Sequence, residues 1–254
     1  MRTLYTILLL LLLWPCTQAA DPLAGAAQAY DKELYNDALK LYLDAERTVG
    51  TSSSLCYNIG NTYYKLKDNA RAILYYERAL LLDPANGDAR FNLEFVREKA
   101  QISEDSGGSY FTDWIAGMVS RLSSNTWATV ALVSLLLLLL AVAAYLFFDS
   151  VVLRKIGFFG GMVLLVLTVL ANVAAYYVHG KAIHHDTAIV VVEQATLSTA
   201  PRVPKDKSEE AMLLGSGHKV QIVDSVVNGG TKWLDVRTAD GHRAWITSKD
   251  VEVI

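Results

Sequence analysis

WATVALVSLLLLLLAVAAYLFF (residues 127–148) and IGFFGGMVLLVLTVLANVAAYYV (residues 156–178) run for 22 and 23 residues without an Asp, Glu, Lys or Arg. Coiled as helices at 1.5 Å per residue, each reaches about 33 Å, enough to cross a hydrocarbon core of about 30 Å. The pair predicts a helical hairpin embedded in a bilayer. The competing reading, two buried helices of a soluble protein, fits uncharged runs of this length poorly. The segment between them, DSVVLRK (149–155), carries Arg154 and Lys155 side by side, whereas the outer flanks carry Arg121 and Lys181. Cations favour the cytoplasmic side, so 149–155 is expected as a cytoplasmic loop with both large flanks outside. Gly157 and Gly161 form a small-xxx-small pair that permits close helix approach. Asn172 is expected to make an interhelical hydrogen bond, within the hairpin or to a partner subunit. Neither span has an ionisable residue at mid-depth, which argues against a pump or channel.

The remaining chain divides around this hairpin. Residues 1–19 begin with Arg2, continue through an apolar core from Leu4 to Trp14, and meet Pro15 before small residues. This pattern predicts a secretory signal peptide; a retained anchor is the alternative. Export of the chain beyond residue 19 agrees with the orientation argued from Arg154 and Lys155. If Cys16 leaves with that peptide, Cys56 is left without a partner, and it is expected as a small packed hydrophobe. The net charge of −3 and the lack of a basic patch exclude a phosphate-binding surface of the kind nucleic acids need.

Within residues 20–100, Ala38, Tyr42 and Ala45 return as Ala72, Tyr76 and Ala79 at an offset of 34, and Ala26 is matched by Gly60. With Ile59, Tyr63 and Pro84 also at signature spacing, residues 53–86 resemble the tetratricopeptide repeat, a helix-turn-helix unit. Small residues let the two helices cross, tyrosines fill the space beside them, and Pro84 ends the second helix. Residues 88–99 (DARFNLEFVREK) carry Phe91, Leu93, Phe95 and Val96 in helical spacing and are expected as a capping helix. Two repeats with a cap are short, since about three are usually needed, so the array is expected to depend on the membrane or a partner. The resemblance implies a concave groove lined by Tyr57, Asn61, Tyr64 and Lys65, with Tyr30 from the first unit, suited to a peptide segment. The bland alternative is that these are ordinary solvated positions.

Residues 101–126 hold a polar, glycine-rich linker (SEDSGGS, 103–109) and then YFTDWIAGMVSRL (110–122), with Phe111, Trp114, Ile115, Met118 and Leu122 on one side of a helix. That helix is expected to lie along the outer membrane surface, or to dock on the repeats. Beyond the hairpin, His179, His184 and His185 lack the acidic or thiol partners that a tetrahedral metal set needs, so no metal is expected.

Residues 185–254 shift to β-branched residues and turn signals. Strands are expected over 189–192, 218–227, 231–237 and 242–246. Tight turns are expected at Asn228-Gly229 and Asp240-Gly241, and a long loop over 201–210. Ile189-Val190, Leu214, Gly217, Val220, Trp233, Val236, and Asp240-Gly241 followed by Ala244-Trp245-Ile246 resemble a bacterial SH3-type domain. The resemblance implies an all-β SH3-like barrel that binds peptides or wall fragments. Trp233 and Trp245 are its candidate contacts, with core packing as the alternative role of each.

The whole order is a multidomain membrane protein: α-helical tetratricopeptide repeats, a transmembrane helical hairpin and a small SH3-like barrel. It resembles the BatE-type proteins of bacterial aerotolerance operons. That resemblance implies a scaffold in the bacterial inner membrane, facing the periplasm, with membrane proteins bearing von Willebrand factor A domains as partners. No catalytic constellation falls within one folded unit: Cys56 lies in a repeat, and all five histidines fall between 179 and 242. No phosphate-binding glycine loop is present, and no enzyme activity or cofactor is expected. A cell-wall-binding envelope sensor, reading peptidoglycan through the SH3-type domain, is the competing function.

Overall fold

The computed structural model describes residues 22–102, 110–183 and 186–254. The expected signal peptide, the linker at 103–109, and His184 and His185 lie outside the described residues, as do the side chains of Phe111 and Lys181. The chain forms two compact units, divided between Gly50 and Thr51.

In the first unit, α1 (Pro22–Asp31) and α2 (Tyr35–Val49) form a helical hairpin. Ala26, Ala38, Tyr42 and Ala45 are buried in it. Glu33 takes a positive φ of 61° at the turn, which lets Leu34 N–H reach Ala29 O at 2.9 Å and closes the end of α1.

The second unit opens with α3 (Ser53–Lys65), α4 (Asn69–Leu82) and α5 (Gly87–Lys99). Each has a side-chain cap: Ser52 accepts from Leu55 N–H at 3.2 Å, Asp68 from Arg71 at 3.0 Å, and Asn86 from Ala89 at 3.0 Å. Gly60 is buried where α3 and α4 cross; a Cβ there would stand 2.7 Å from Tyr76 Cε1. Cys56 is fully buried, as a small hydrophobe should be.

The third helix departs from the expected cap. Leu93, Val96 and Ala89 are its buried residues, while Phe91 and Phe95 are 69% and 46% exposed. The buried trio sits 34 residues after Ile59, Thr62 and Leu55, which are buried in α3. The closing turn repeats as well: Lys67 and Gln101 take positive φ like Glu33, and Asp68 N–H to Tyr63 O and Ile102 N–H to Arg97 O repeat the Leu34 bond. Thus α5 is built as the first helix of a third repeat.

Next come α6 (Tyr110–Val119), α7 (Ser124–Phe147) and α8 (Val151–Ile183). On α6 and just after it, Trp114, Ile115, Met118 and Leu122 are all exposed. Its far end is tied to α7 by Trp127 Nε1–H donating to Val119 O at 2.9 Å. α7 and α8 are long and apolar enough to cross a membrane. They pack on each other through small residues and turn leucines, valines and phenylalanines outward. A Cβ at Gly157 would stand 2.6 Å from Ala141 O; one at Gly161 would only touch Ala141 Cβ and Leu138 Cδ1 at 3.6 Å.

Two expectations about the hairpin change. The loop is shorter than 149–155, because Ser150 O already accepts from Arg154 N–H at 3.0 Å and nothing from Val151 to Lys155 breaks a helix. The Arg154 guanidinium then lies 5.2 Å from the Tyr145 ring centroid. Asn172 is exposed and donates to Thr168 O of its own helix at 2.8 Å, so within the hairpin its amide N–H turns to its own backbone, which leaves the bond to a partner subunit as the other form of that expectation. Interhelical polar contacts are made instead by the Ser134 and Thr168 hydroxyls, 2.8 Å apart, and by Ser124 Oγ–H donating to Ala175 O at 3.2 Å.

The C-terminal region forms one antiparallel sheet of seven strands: β1 (Thr187–Val190), β2 (Gln194–Ser198), β3 (Glu210–Gly215), β4 (Lys219–Asn228), β5 (Thr231–Arg237), β6 (Arg243–Thr247) and β7 (Val251–Val253). Their order is β3-β2-β6-β5-β4-β1-β7. Ala188, Leu197, Leu214, Val220, Val236, Ile246 and Val251, one from each strand, share a single core, so the sheet must curl. It is nonetheless open: β3 and β7 are its two edges, and β2 meets β6 only at Ser198 and Trp245. β2 and β3 flank the long loop and escaped the sequence reading: β2 (QATLS) has only two apolar residues, and β3 (EAMLLG) is a short apolar run without alternation, a pattern that strand and helix share. The first hairpin turn is Gly229-Gly230, both at positive φ, with Asn228 paired to Thr231. In the second, Gly241 alone takes positive φ.

Candidate functional site: the face of α3 and α5

The repeat packing sets α5 beside α3, and side chains from the two helices meet. Asn61 Oδ1 accepts from Tyr76 O–H at 2.7 Å and from Asn92 Nδ2–H at 2.8 Å. The same Asn92 amide lies 3.5 Å from Tyr57 Oη. This network fixes the Asn61 carbonyl inward and leaves the polar edges of Asn61 and Tyr57 half-buried.

One turn further along α3, Tyr64 is half-buried and Lys65 exposed. Tyr64 Oη accepts from Lys99 Nζ at 2.9 Å, and its ring meets Phe95 edge-on at 6.0 Å. Lys99 Nζ also stands 5.1 Å from the Tyr64 ring centroid and Lys67 Nζ 6.0 Å from it. The Lys99 hydrogen bond, supported by the charges of Lys99, Lys67 and Lys65 and opposed by burial, holds the Tyr64 phenol below its ordinary value. The far end of the face is thus cationic and aromatic, and the near end offers amides and a phenol.

By their spacing along α3, Tyr57, Asn61, Tyr64 and Lys65 fall on one helix face. Tyr30 belongs to the first unit, where it meets Tyr35 edge-on at 5.4 Å. Asn92, Phe95 and Lys99 were missed, although an offset of 34 places Lys99 after Lys65 and Asn92 after Asn58. Reading α5 as a cap concealed them.

On the sheet, β5 and β6 pair Trp233 with Thr247 and Asp235 with Trp245. Leu234 and Val236 alternate into the core, so Trp233, Asp235 and Trp245 share the opposite face. Trp233 is only 3% exposed, and in this arrangement it is closed to a ligand; Trp245 is half-buried. Asp235 is buried between them and accepts from Arg243 Nε–H at 2.9 Å, and this pairing holds the Arg243 guanidinium above its ordinary value.

Among the described residues no three His, Cys, Asp or Glu side chains gather as a metal set. The face of α3 and α5 carries no nucleophile paired with a base. What it can do is bind a segment of polypeptide, giving amide hydrogen bonds at one end and attraction for negative charge at the other.

Comparison with known proteins agrees on the repeat. Residues 53–86 match the tetratricopeptide repeat family, spanning α3, α4 and the turn before α5. No curated protein matches the chain.

Proposed function

We propose that this chain is a membrane-anchored adaptor that carries no reaction of its own and recruits protein partners through the face of α3 and α5. The observation that carries this reading is the Tyr57–Asn61–Asn92 network and, one turn further along the same face, the Tyr64 phenol paired with the Lys99 cation. A partner segment with acidic side chains fits both ends of it. α7 and α8 serve as the anchor, and Arg154 and Lys155 at the start of α8 orient the turn toward the cytoplasm, leaving the repeats and the sheet in the periplasm. The curled sheet serves as an SH3-type module. The overall order supports placement in a BatE-type aerotolerance complex, beside membrane proteins with von Willebrand factor A domains.

The test is purification of the intact protein from its own membranes after in-cell crosslinking, with a Tyr64→Ala/Lys99→Ala variant in parallel. Recovery of membrane proteins with von Willebrand factor A domains, reduced tenfold or more in the variant, is expected. Equal recovery from both would remove the α3–α5 face from the account.

The second reading, a sensor of peptidoglycan, is favoured by one feature: Trp245 remains partly open beside the Asp235–Arg243 pair. Wall fragments retained by the intact protein and lost in Trp245→Ala would support it.

A further inference from the structure

The repeats stop half-way through a third copy. Helix α5 has the cap, the buried trio and the closing turn of a first helix, and that turn ends at Ile102. In the two preceding copies the second helix starts one residue after the position equivalent to Ile102, at Tyr35 after Leu34 and at Asn69 after Asp68. After Ile102 the sequence instead turns to SEDSGGS, which has no apolar residue with which to form a packing helix. A repeat without its second helix leaves bare the flank of α4 and the inner side of α5 that this helix would cover.

That flank is occupied by the C-terminal sheet. Gly217, at the turn between β3 and β4, faces the repeats so closely that a Cβ would stand 2.5 Å from Ile102 Cδ1 and 3.1 Å from Ile73 Cδ1 of α4. Ile73 is fully buried and Ile102 nearly so. Around this apolar centre the polar contacts close in pairs. Glu77 of α4 takes an ion pair from Arg97 of α5 and a second, at 3.1 Å, from Lys219 at the start of β4. Its side chain is 14% exposed, so a carboxylate of the repeats is held between a cation of the repeats and a cation of the sheet. Arg71 Nε–H donates to Glu252 Oε1 of β7 at 3.0 Å, and Arg78 Nη2–H donates to Val253 O at 2.6 Å. The latter satisfies an edge-strand carbonyl that no strand pairs, and the edge is thereby covered.

We infer that the C-terminal sheet is the obligate partner of the repeats, standing in for the second helix of the truncated third copy. The array is therefore completed within its own chain, by a sheet, across the membrane hairpin in sequence. This division of faces leaves α3 and the outer side of α5 for binding, and it gives β1, β4 and β7 a role unrelated to a ligand of the sheet. The inference stands on contacts of α4 and the sheet and is independent of what the α3–α5 face binds.

The experiment uses the full-length protein in its membrane. Cysteines at Arg71→Cys and Glu252→Cys, in a Cys16→Ala/Cys56→Ala background, are treated with a short bismaleimide. A high yield of intramolecular crosslink is expected; a yield no greater than that of an Arg71→Cys/Val227→Cys control overturns the docking. Hydrogen exchange on Lys219→Glu then tests the dependence, since this change sets a second carboxylate against Glu77. Amides of α4 and α5 are expected to exchange at least tenfold faster, with those of the β5–β6 ladder unchanged. Unaltered exchange in α4 and α5 would overturn the claim that the sheet completes the repeats.

Discussion

Glu77 shows how one residue decides whether two regions hold together. Burial alone would raise its carboxyl, but the charges and hydrogen bonds of Lys219 and Arg97 outweigh burial and hold it below its ordinary value. A carboxyl lowered on folding stabilises fully above its unfolded value and loses that contribution as pH falls through the folded one. Stability should therefore be flat with respect to this group from about pH 8 to 6 and decline below about pH 4, the ordinary glutamate range. Thermal melts in detergent check it, and Glu77→Gln should blunt the decline. At pH 7 the same variant leaves Arg97 and Lys219 facing a neutral amide and should cost about 3 kcal/mol. Neither cation could be assigned from sequence, because Lys219 is 142 residues away and no period links it to Glu77. Gly60 is the opposite case, since the offset of 34 gave its neighbours. Gly60→Ala puts a Cβ against the Tyr76 ring, whose hydroxyl is held by Asn61, so the ring cannot swing freely. A loss of about 1–3 kcal/mol is expected in thermal melts, despite alanine's better helix propensity.

At the scale of elements, what the sequence disclosed were periods. A repeat of 34 placed α1 to α4, and uncharged length placed α7 and α8, because both signals are written along the chain. The helical start at Val151 was hidden, since valine, leucine, arginine and lysine suit a loop or a helix equally and only the backbone bond to Ser150 decides. The fate of Asn172 was hidden for a similar reason: an amide in an apolar helix can turn to its own backbone as readily as to a neighbour. Gly157 is where the hairpin packing is tightest, and the obstacle to a side chain there is a backbone oxygen, which cannot yield. Gly157→Leu should separate α7 from α8 at the turn and reduce crosslinking between cysteines placed at Ser134 and Thr168, which are in contact, by severalfold. Gly161→Ala, with only ordinary contacts ahead of it, should change that yield little.

For the molecule as a whole, the sheet's cover of α4 and α5 explains how repeats that end on α5 can persist. That cover lies beyond α7 and α8 in sequence, so no local pattern could disclose it. Nor could strand spacing reveal an open sheet, whose edges are set by partners rather than by residues. The central functional claim is that partners engage α3 and α5. A photoreactive residue placed at Lys65, exposed on α3, tests it in living cells against one placed at Val227, 70% exposed on the sheet. Discrete protein adducts are expected from position 65, and they should disappear when Tyr64 and Lys99 are replaced by alanine. Adducts from position 227 alone, with none from position 65, would contradict it.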